Sequence, residues 1–193
     1  FLLDHSEFAL YKIEQKINSI VSKKLKKIKL VPLLGSIQDK KLINTVFKNH
    51  KIDVIFHAAA YKHVPLVESN IIEAIKNNVI GTKILSNAAI KNNIKNFILI
   101  SSDKAVRPTN YMGATKRLSE LICQSLADKF ENTKFSIVRF GNVIGSSGSV
   151  IPVFEKQILN GGPLTVTHKN VTRYFMTIKE AAQLVIQTCS LGK

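Results

Sequence analysis

The chain has 193 residues, with 28 Lys plus Arg against 13 Asp plus Glu, a formal charge of +15 and 45% hydrophobic residues. That apolar share excludes global disorder, and the length suits one domain with a buried core. No run approaches the about 20 apolar residues of a membrane-crossing helix, and the start, Phe1-Leu2-Leu3-Asp4, carries no basic leader.

Phe1-Leu2-Leu3 reads as the end of a strand, with Asp4 at its carboxyl end. His5 to about Ser22 reads as a helix with Ser6 as a candidate N-cap; Leu10, Ile13, Ile17, Ile20 and Val21 recur at helical spacing. A strand is predicted over Ile28 to Leu34, then a short helix over Asp39 to Lys48 with Leu42, Ile43 and Val46 inward. Val54-Ile55-Phe56 is a continuous apolar run that suits a strand buried on both faces. A long helix over Glu68 to about Asn92 leads to a second buried strand, Phe97 to Ile100. Residues 111 to 130 read as a helix with Leu118, Leu121, Ile122, Leu126 and Phe130 on one side. Phe135 to Val138 is a strand, Gly141 to Ser149 a Gly/Ser loop, and Val153 to Leu159 a helix. Leu164-Thr165-Val166 is short and extended, and Ile178 to Thr188 is a final amphipathic helix. Apolar strands alternating with helices are the signature of βαβ units: an α/β doubly wound parallel sheet of Rossmann type.

Such a sheet normally opens with a strand, a G-x-G-x-x-G turn and a helix. No such turn occurs, although Asp4 ends a strand where an acidic ribose ligand sits. The expectation is therefore an internal stretch lacking the first strand–Gly-rich loop–helix unit, with residues 1–149 forming the cofactor-binding core. Residues 150–193 would begin a substrate-binding portion interleaved with it.

Several segments carry chemistry. Ser101-Ser102-Asp103-Lys104 leaves the carboxyl end of a buried strand, the edge where ligands bind in open α/β sheets; it reads equally as a capped turn. In Asn110-Tyr111-Met112-Gly113-Ala114-Thr115-Lys116, the i, i+4 relation puts Lys116 on one face with Met112, not with Tyr111. A Tyr–Lys pair at that spacing would form a general base of lowered pKa, and here Met stands in the phenol's place. Lys116 reads equally as a surface lysine. His57 suits a satisfied core histidine better than a ligand; Ala58, Ala59 and Ala60 leave room for a dinucleotide or for close strand–helix packing. Lys62 and His63 lie beyond that strand end, placed to meet phosphate or sugar. Asn78 sits mid-helix against its propensity, serving a neighbouring loop or facing solvent. Gly141 to Ser149 offers backbone N–H groups to a phosphate, and Arg173 offers a bidentate guanidinium or a surface ion pair.

Together HAAAYKHVPLVE at 57–68, SSDKAV at 101–106, NYMGATKR at 110–117, VRFGNVIGSSGSVIP at 138–152 and VTRYFMT at 171–177 resemble the nucleotide-sugar 4,6-dehydratases of bacterial polysaccharide synthesis. This is the CapD/WbpM group of the extended short-chain dehydrogenase/reductase superfamily. The resemblance implies NAD as cofactor and UDP-GlcNAc or a related UDP-sugar as substrate. It implies C-4 oxidation, elimination of water across C-5 and C-6, and hydride return to C-6 with retention at C-5. Carried over by motif, Ser102 bonds the C-4 oxygen, Asp103 is acid at C-6, Lys104 is base at C-5, and Lys116 bonds the nicotinamide ribose. Met112 marks the subgroup, and Asp103, Tyr111 or a water is left to replace the phenol. Asp4, Ser36, Ile37, Ala58, Ala59, Ala60, Lys62, Asn78 and Lys116 are expected around the cofactor. Lys62, His63, Asn142, Ser149, Val150 and Arg173 are expected around the substrate, with no metal. A carboxylate at Asp4 favours NAD over NADP. A UDP-sugar 4-epimerase is the alternative, since it shares the first oxidation.

Cys123 and Cys189 are far apart and form no metal-type or redox-type spacing, which indicates a reducing compartment. A cytoplasmic location is expected, with membrane contact only through helices upstream, and a homo-oligomeric full-length protein whose activity needs the missing first unit. The Lys23, Lys24, Lys26, Lys27 and Lys29 cluster lies outside every motif. It reads as solvated surface, with a basic nucleic-acid-binding module as the minor alternative.

Overall fold

The computed structural model describes residues 1–23, 28–146, 150–166 and 168–191. The elements run β1 (Leu2–Asp4), α1 (Glu7–Lys23), β2 (Pro32–Leu34), α2 (Lys40–Asn49), β3 (Val54–His57), α3 (Val64–Ser69) and α4 (Ile71–Ala74). A π-helical turn (Ile75–Ile80) leads into α5 (Gly81–Lys91), β4 (Asn96–Ile100), a 3-10 turn (Asp103–Ala105) and α6 (Tyr111–Ala127). The chain ends with β5 (Lys134–Val138), β6 (Asn142–Val143), α7 (Val150–Leu159), β7 (Phe175–Met176) and α8 (Ile178–Leu191). Every strand pairing is parallel, so helices must cross between them.

The strands form three sets: β1 with β2, then β3-β4-β5, then β6 with β7. β4 is the centre: Phe97, Ile98 and Leu99 are buried, with Ile55 beside Phe97 on one edge and Phe135 on the other. Ile43, Leu85, Ala89, Ile94 and Cys123 close over it to make the main core. Each buried side chain of this kind contributes roughly 1.5–3 kcal/mol through apolar area removed from water. Asp39 caps α2, its carboxylate accepting from the N–H groups of Lys41 and Leu42 at 2.9 and 3.0 Å.

Four sequence expectations are corrected. The strand over Ile28 to Leu34 shortens to Pro32–Leu34, because β1 offers it only Leu2 to Asp4 as partners. The single helix over 68–92 is three helical pieces with a π-helical turn between α4 and α5, where the Gly81 N–H reaches back five residues to the Lys76 carbonyl. Asn77 and Asn78 are both buried in that turn. The Gly/Ser loop contains β6, which pairs Asn142 with Phe175. The apolar side predicted for 111–130 is partly outward: Leu118 is 47% and Leu121 44% exposed. The buried face of α6 carries Met112, Thr115, Lys116, Ser119, Glu120 and Cys123. Its polar members are satisfied internally: Thr115 donates to the Met112 carbonyl at 2.8 Å, and Ser119 to the Asn78 carbonyl at 2.7 Å.

Candidate active site

Two cavities lie at the carboxyl ends of the strands and share Ala58, Ala60 and Tyr61 as a common wall. The smaller, about 170 Å³, is walled by Asp4 and His5 after β1, by Gly35, Ser36 and Ile37 after β2, and by the alanines after β3. Asp4 Oδ1 accepts from the Ser6 N–H at 2.8 Å, which fixes the carboxylate at the cavity rim. Three successive alanines leave the β3 end without bulk. A carboxylate at one strand end and small residues at the next fit the ribose and backbone approach of a dinucleotide.

The larger cleft, about 680 Å³, is walled by Lys62, His63, Ser102, Lys104, Met112, Lys116, Asn142 and Val150. Ser102 caps the 3-10 turn, its Oγ accepting from the Lys104 N–H at 3.3 Å. Ser102 Oγ donates to Asp103 Oδ1 at 2.9 Å, and Lys104 Nζ donates to the same oxygen at 3.0 Å. Burial pushes the Asp103 carboxyl up, but the bonds from Lys104 and Ser102 outweigh it and hold the group below its ordinary value. The turn sits close against α6 because residue 113 is glycine: a Cβ there would collide with the Lys104 carbonyl oxygen.

On α6, Met112 and Lys116 share the buried face that walls the cleft, while Tyr111 is 49% exposed and lies outside the cleft. Lys116 Nζ donates to the Ile100 carbonyl at 2.6 Å. Burial pushes the Lys116 ammonium down to about 8, opposed by the charge of Glu120 and then Cys123. His57 is a satisfied core group: its Nε2 lies 2.8 Å from Thr82 Oγ1, and burial, with Lys116 nearby, pushes its pKa down to about 3.

Asn78 follows the first of its two sequence readings and serves a neighbouring loop, whereas Arg173 departs from its expected place. Asn78, 1% exposed, spends its amide inside the protein. Its Oδ1 accepts from the Tyr61 N–H at 2.8 Å and from Asn77 Nδ2 at 3.1 Å; its Nδ2 donates to the Tyr61 carbonyl at 3.1 Å and to Thr115 Oγ1 at 3.0 Å. With both protons and both lone pairs engaged, Asn78 pins the Ala58–Tyr61 loop, and its neighbour Asn77 walls the smaller cavity. Arg173 is not among the cleft residues: the chain from Val171 to Tyr174 is exposed, and the guanidinium donates to the Thr172 carbonyl at 3.0 Å. Ser149 lies outside the described residues.

Sequence reasoning missed Glu120. Its buried carboxylate receives Ser101 Oγ at 2.6 Å, Arg139 Nε at 2.7 Å, Arg117 Nη1 at 2.9 Å and Arg139 Nη2. Burial pushes the Glu120 carboxyl up, and bonds from Arg139, Ser101 and Arg117 together bring it below its ordinary value. The signal was the Lys116-x-x-x-Glu120 spacing, which puts an acid on the same face as Lys116 and, at i+3, Cys123.

Parallel strands with crossover helices, cavities at their carboxyl ends, and a buried lysine on the helix after the Ser102–Lys104 turn define a Rossmann-type domain of the short-chain dehydrogenase/reductase kind. Within that class the chain belongs to the polysaccharide biosynthesis protein family, whose model matches residues 1–193. It is 48% identical over 192 residues to the capsular polysaccharide biosynthesis protein CapD of Staphylococcus aureus, covering 100% of this chain and 32% of the relative. It is 51% identical over 192 residues to the probable polysaccharide biosynthesis protein EpsC of Bacillus subtilis, covering 100% of this chain and 31% of the relative. The chain thus spans about a third of these relatives. More distant matches are a UDP-N-acetylglucosamine 4,6-dehydratase (inverting) of Campylobacter jejuni and a UDP-glucose 4-epimerase of Rickettsia canadensis. They are 36% and 35% identical, cover 79% and 98% of this chain, and match along 46% and 56% of their own lengths. The solved structure of Pen from Bacillus thuringiensis superposes with a TM-score of 0.87 at 34% identity, over 99% of this chain and 56% of that one.

Proposed function

We propose that the chain forms the cofactor-binding and reacting core of an NAD-dependent UDP-GlcNAc 4,6-dehydratase serving surface polysaccharide synthesis. The observation that carries this reading is the Asp103–Lys104 pair, 3.0 Å apart: Lys104 walls the cleft with Ser102, Met112 and Lys116, and Asp103 stands directly behind that wall, bonded to both Ser102 and Lys104. A dehydratase needs an acid at C-6 and a base at C-5, and a 4-epimerase needs neither. The similarity to a UDP-glucose 4-epimerase keeps that activity as the second reading. Asp4 at the rim supports NAD over NADP, since a carboxylate accepts a bond from a ribose hydroxyl and repels a 2′-phosphate. The exposed Leu118 and Leu121 on α6 support a homo-oligomeric full-length protein. A cytoplasmic placement rests on the two free cysteines; among the described residues no helix is long and apolar enough to cross a membrane.

Bound NAD supplies a place for the C-4 hydride and later its source. Lys116 holds the nicotinamide ribose. Ser102 Oγ contacts the C-4 oxygen and passes its proton to Asp103, whose lowered pKa makes it a carboxylate ready to accept. Met112 takes no part in proton transfer, because a thioether has no proton to give and accepts none at neutral pH. Tyr111, half-exposed and not among the residues that wall the cleft, is given no such role in this reading. Asp103, now protonated, gives its proton to the departing C-6 hydroxyl, while Lys104, which must have released its own proton to solvent and stand as the neutral amine for this step, removes the proton at C-5. Lys104 then returns that proton to the same face of C-5, which retains its configuration. Protons balance: the one taken at C-4 leaves in water, and the one taken at C-5 goes back.

In the full-length protein, UDP-GlcNAc should give a product lighter by one water. Lys104→Ala should lower dehydration by about 10²–10⁴-fold, the usual size of a lost general base, with NAD binding within about twofold of wild type, since Lys104 walls only the larger cleft. Wild-type dehydration by Lys104→Ala would remove Lys104 as the base, and an isomer of unchanged mass would establish the epimerase.

A further inference from the structure

Glu120 is the only buried carboxylate among the described residues, with 0% exposure. It stands on α6 one turn beyond Lys116. Its donors converge from three places: Ser101 at the end of β4, Arg139 just after β5, and Arg117 on its own helix. Ser101 immediately precedes the Ser102-Asp103-Lys104 turn, and Arg139 lies two residues before Gly141, which also walls the cleft, with the Asp103 N–H donating to the intervening Phe140 carbonyl at 3.1 Å. The Ser101 N–H also donates to the Val138 carbonyl at 2.7 Å, lacing the two strand ends together. One carboxylate therefore ties to α6 both strand ends that build the cleft.

A buried ion pair is weak evidence for stability, because apolar residues of the same volume often serve as well. The location of this one is what gives it meaning. The groups facing Lys116 are His57 from β3, Glu120 and Cys123 from α6, and Asp103 with Lys104 from the reacting turn. Burial leaves His57 neutral, with a pKa of about 3, and pushes the Cys123 thiol up to about 12. Asp103 and Lys104 are bonded to each other. Glu120, although paired with Arg117 and Arg139, is the negative charge that acts most on Lys116, one helical turn away on the same buried face.

We infer that Glu120 is a positioning residue for the reaction: it locks the reacting turn and the Gly141 loop onto α6, and its charge supports the ammonium of Lys116. This rests on the dehydratase reading for its effect on turnover but not for its effect on Lys116. The test uses the full-length protein. Glu120→Gln keeps the volume and removes the charge. Lys116 should then titrate about one pH unit lower, read without substrate by competitive acetic anhydride labelling and mass spectrometry. The kcat for dehydration should fall about tenfold or more, as for a misplaced reacting group, with KM within about twofold, and the basic limb of its pH profile should move with Lys116. Glu120→Asp should bring the Lys116 titration back toward wild type while kcat stays low. An unmoved Lys116 titration in folded Glu120→Gln overturns the inference. If that variant does not fold, Ser101→Ala removes one donor and keeps the charge: lowered kcat with unmoved Lys116 titration supports the inference, and full kcat overturns it. A wild-type protein that does not dehydrate UDP-GlcNAc sinks the dehydratase reading alone, because the labelling of Glu120→Gln or Glu120→Asp still decides the effect on Lys116.

Discussion

At the scale of single residues, three ionisable groups beneath and beside the cleft, His57, Lys116 and Glu120, are held out of water. His57 is the clearest case for stability. Its folded pKa, about 3, lies below the ordinary 6.5, so the unfolded chain binds a proton that the folded chain refuses. A depressed group supports the fold fully above its unfolded value and loses that support as the pH falls toward its folded value. The window is therefore pH 6.5 down to about 3, and its upper part lies above the range where Asp103 and Glu120 titrate. Between pH 7 and pH 5 the wild type should lose roughly 2 kcal/mol from this group. His57→Gln, whose amide can still donate to Thr82, should lose little. Urea midpoints at the two pH values measure the difference, and an equal drop in both proteins would show that His57 is not the source. Lys116 obeys the same rule at alkaline pH, where its folded value of about 8 lies below the ordinary 10.5. Folded protein therefore carries the burial of that ammonium throughout the neutral range, which marks Lys116 as a residue kept for chemistry rather than for stability.

At the scale of elements, what matters is how closely the reacting turn approaches α6. Glycine to alanine in a helix usually stabilises by about 1 kcal/mol. At Gly113 the sign should reverse, because the new Cβ meets backbone at Lys104, which cannot rotate away as a side chain would. Gly113→Ala should destabilise by about 1–3 kcal/mol and lower kcat by about 10²-fold, checked by thermal melts and turnover together; a stabilised, fully active variant would show that the turn has room to move. The type of the strands was legible in the sequence because Val54-Ile55-Phe56 and Phe97 to Ile100 are continuous apolar runs, but only the second is buried on both faces as read; β3 is at the edge of its three-stranded sheet and Phe56 is 50% exposed. Ser102, Lys104, Met112 and Lys116 were legible because strand end and helical spacing alone bring them to one cleft. The π-helical turn was not, since nothing in Ile75 to Ile80 departs from helical periodicity; the demand for it comes from Tyr61, distant in sequence, whose backbone needs Asn78. The buried face of α6 was hidden for a related reason. Thr115, Ser119 and Glu120 look like a solvated side until their partners on Asn78, Ser101 and Arg139 are known, and Leu118 and Leu121 then take the outer side.

At the scale of the whole molecule, the charge of +15 acquires a local meaning. Lys62, Lys104 and Lys116 wall the cleft, whereas Arg173 is held elsewhere and Lys24 to Lys27 lie outside the described residues. A diphosphate entering such a cleft meets three lysine side chains on its walls, offset in part by Asp103 and Glu120 behind them, an excess that raises encounter and affinity more than the chemical step. Lys104 and Lys116 have reacting or cofactor roles in the proposed reaction, so Lys62 is the cation whose removal should report binding alone. In the full-length protein, Lys62→Gln should raise KM for UDP-GlcNAc several-fold, on the order of 1 kcal/mol of lost binding, and change kcat by less than about twofold. Its KM should also rise less steeply with salt than that of the wild type, because one screened contact has been removed. An unchanged KM and salt response would place the diphosphate away from Lys62. A nucleic-acid role makes the opposite demand on the same charge: affinity for DNA would fall steeply with salt, indifferent to NAD, and Lys62→Gln would flatten that slope by no more than about one counterion.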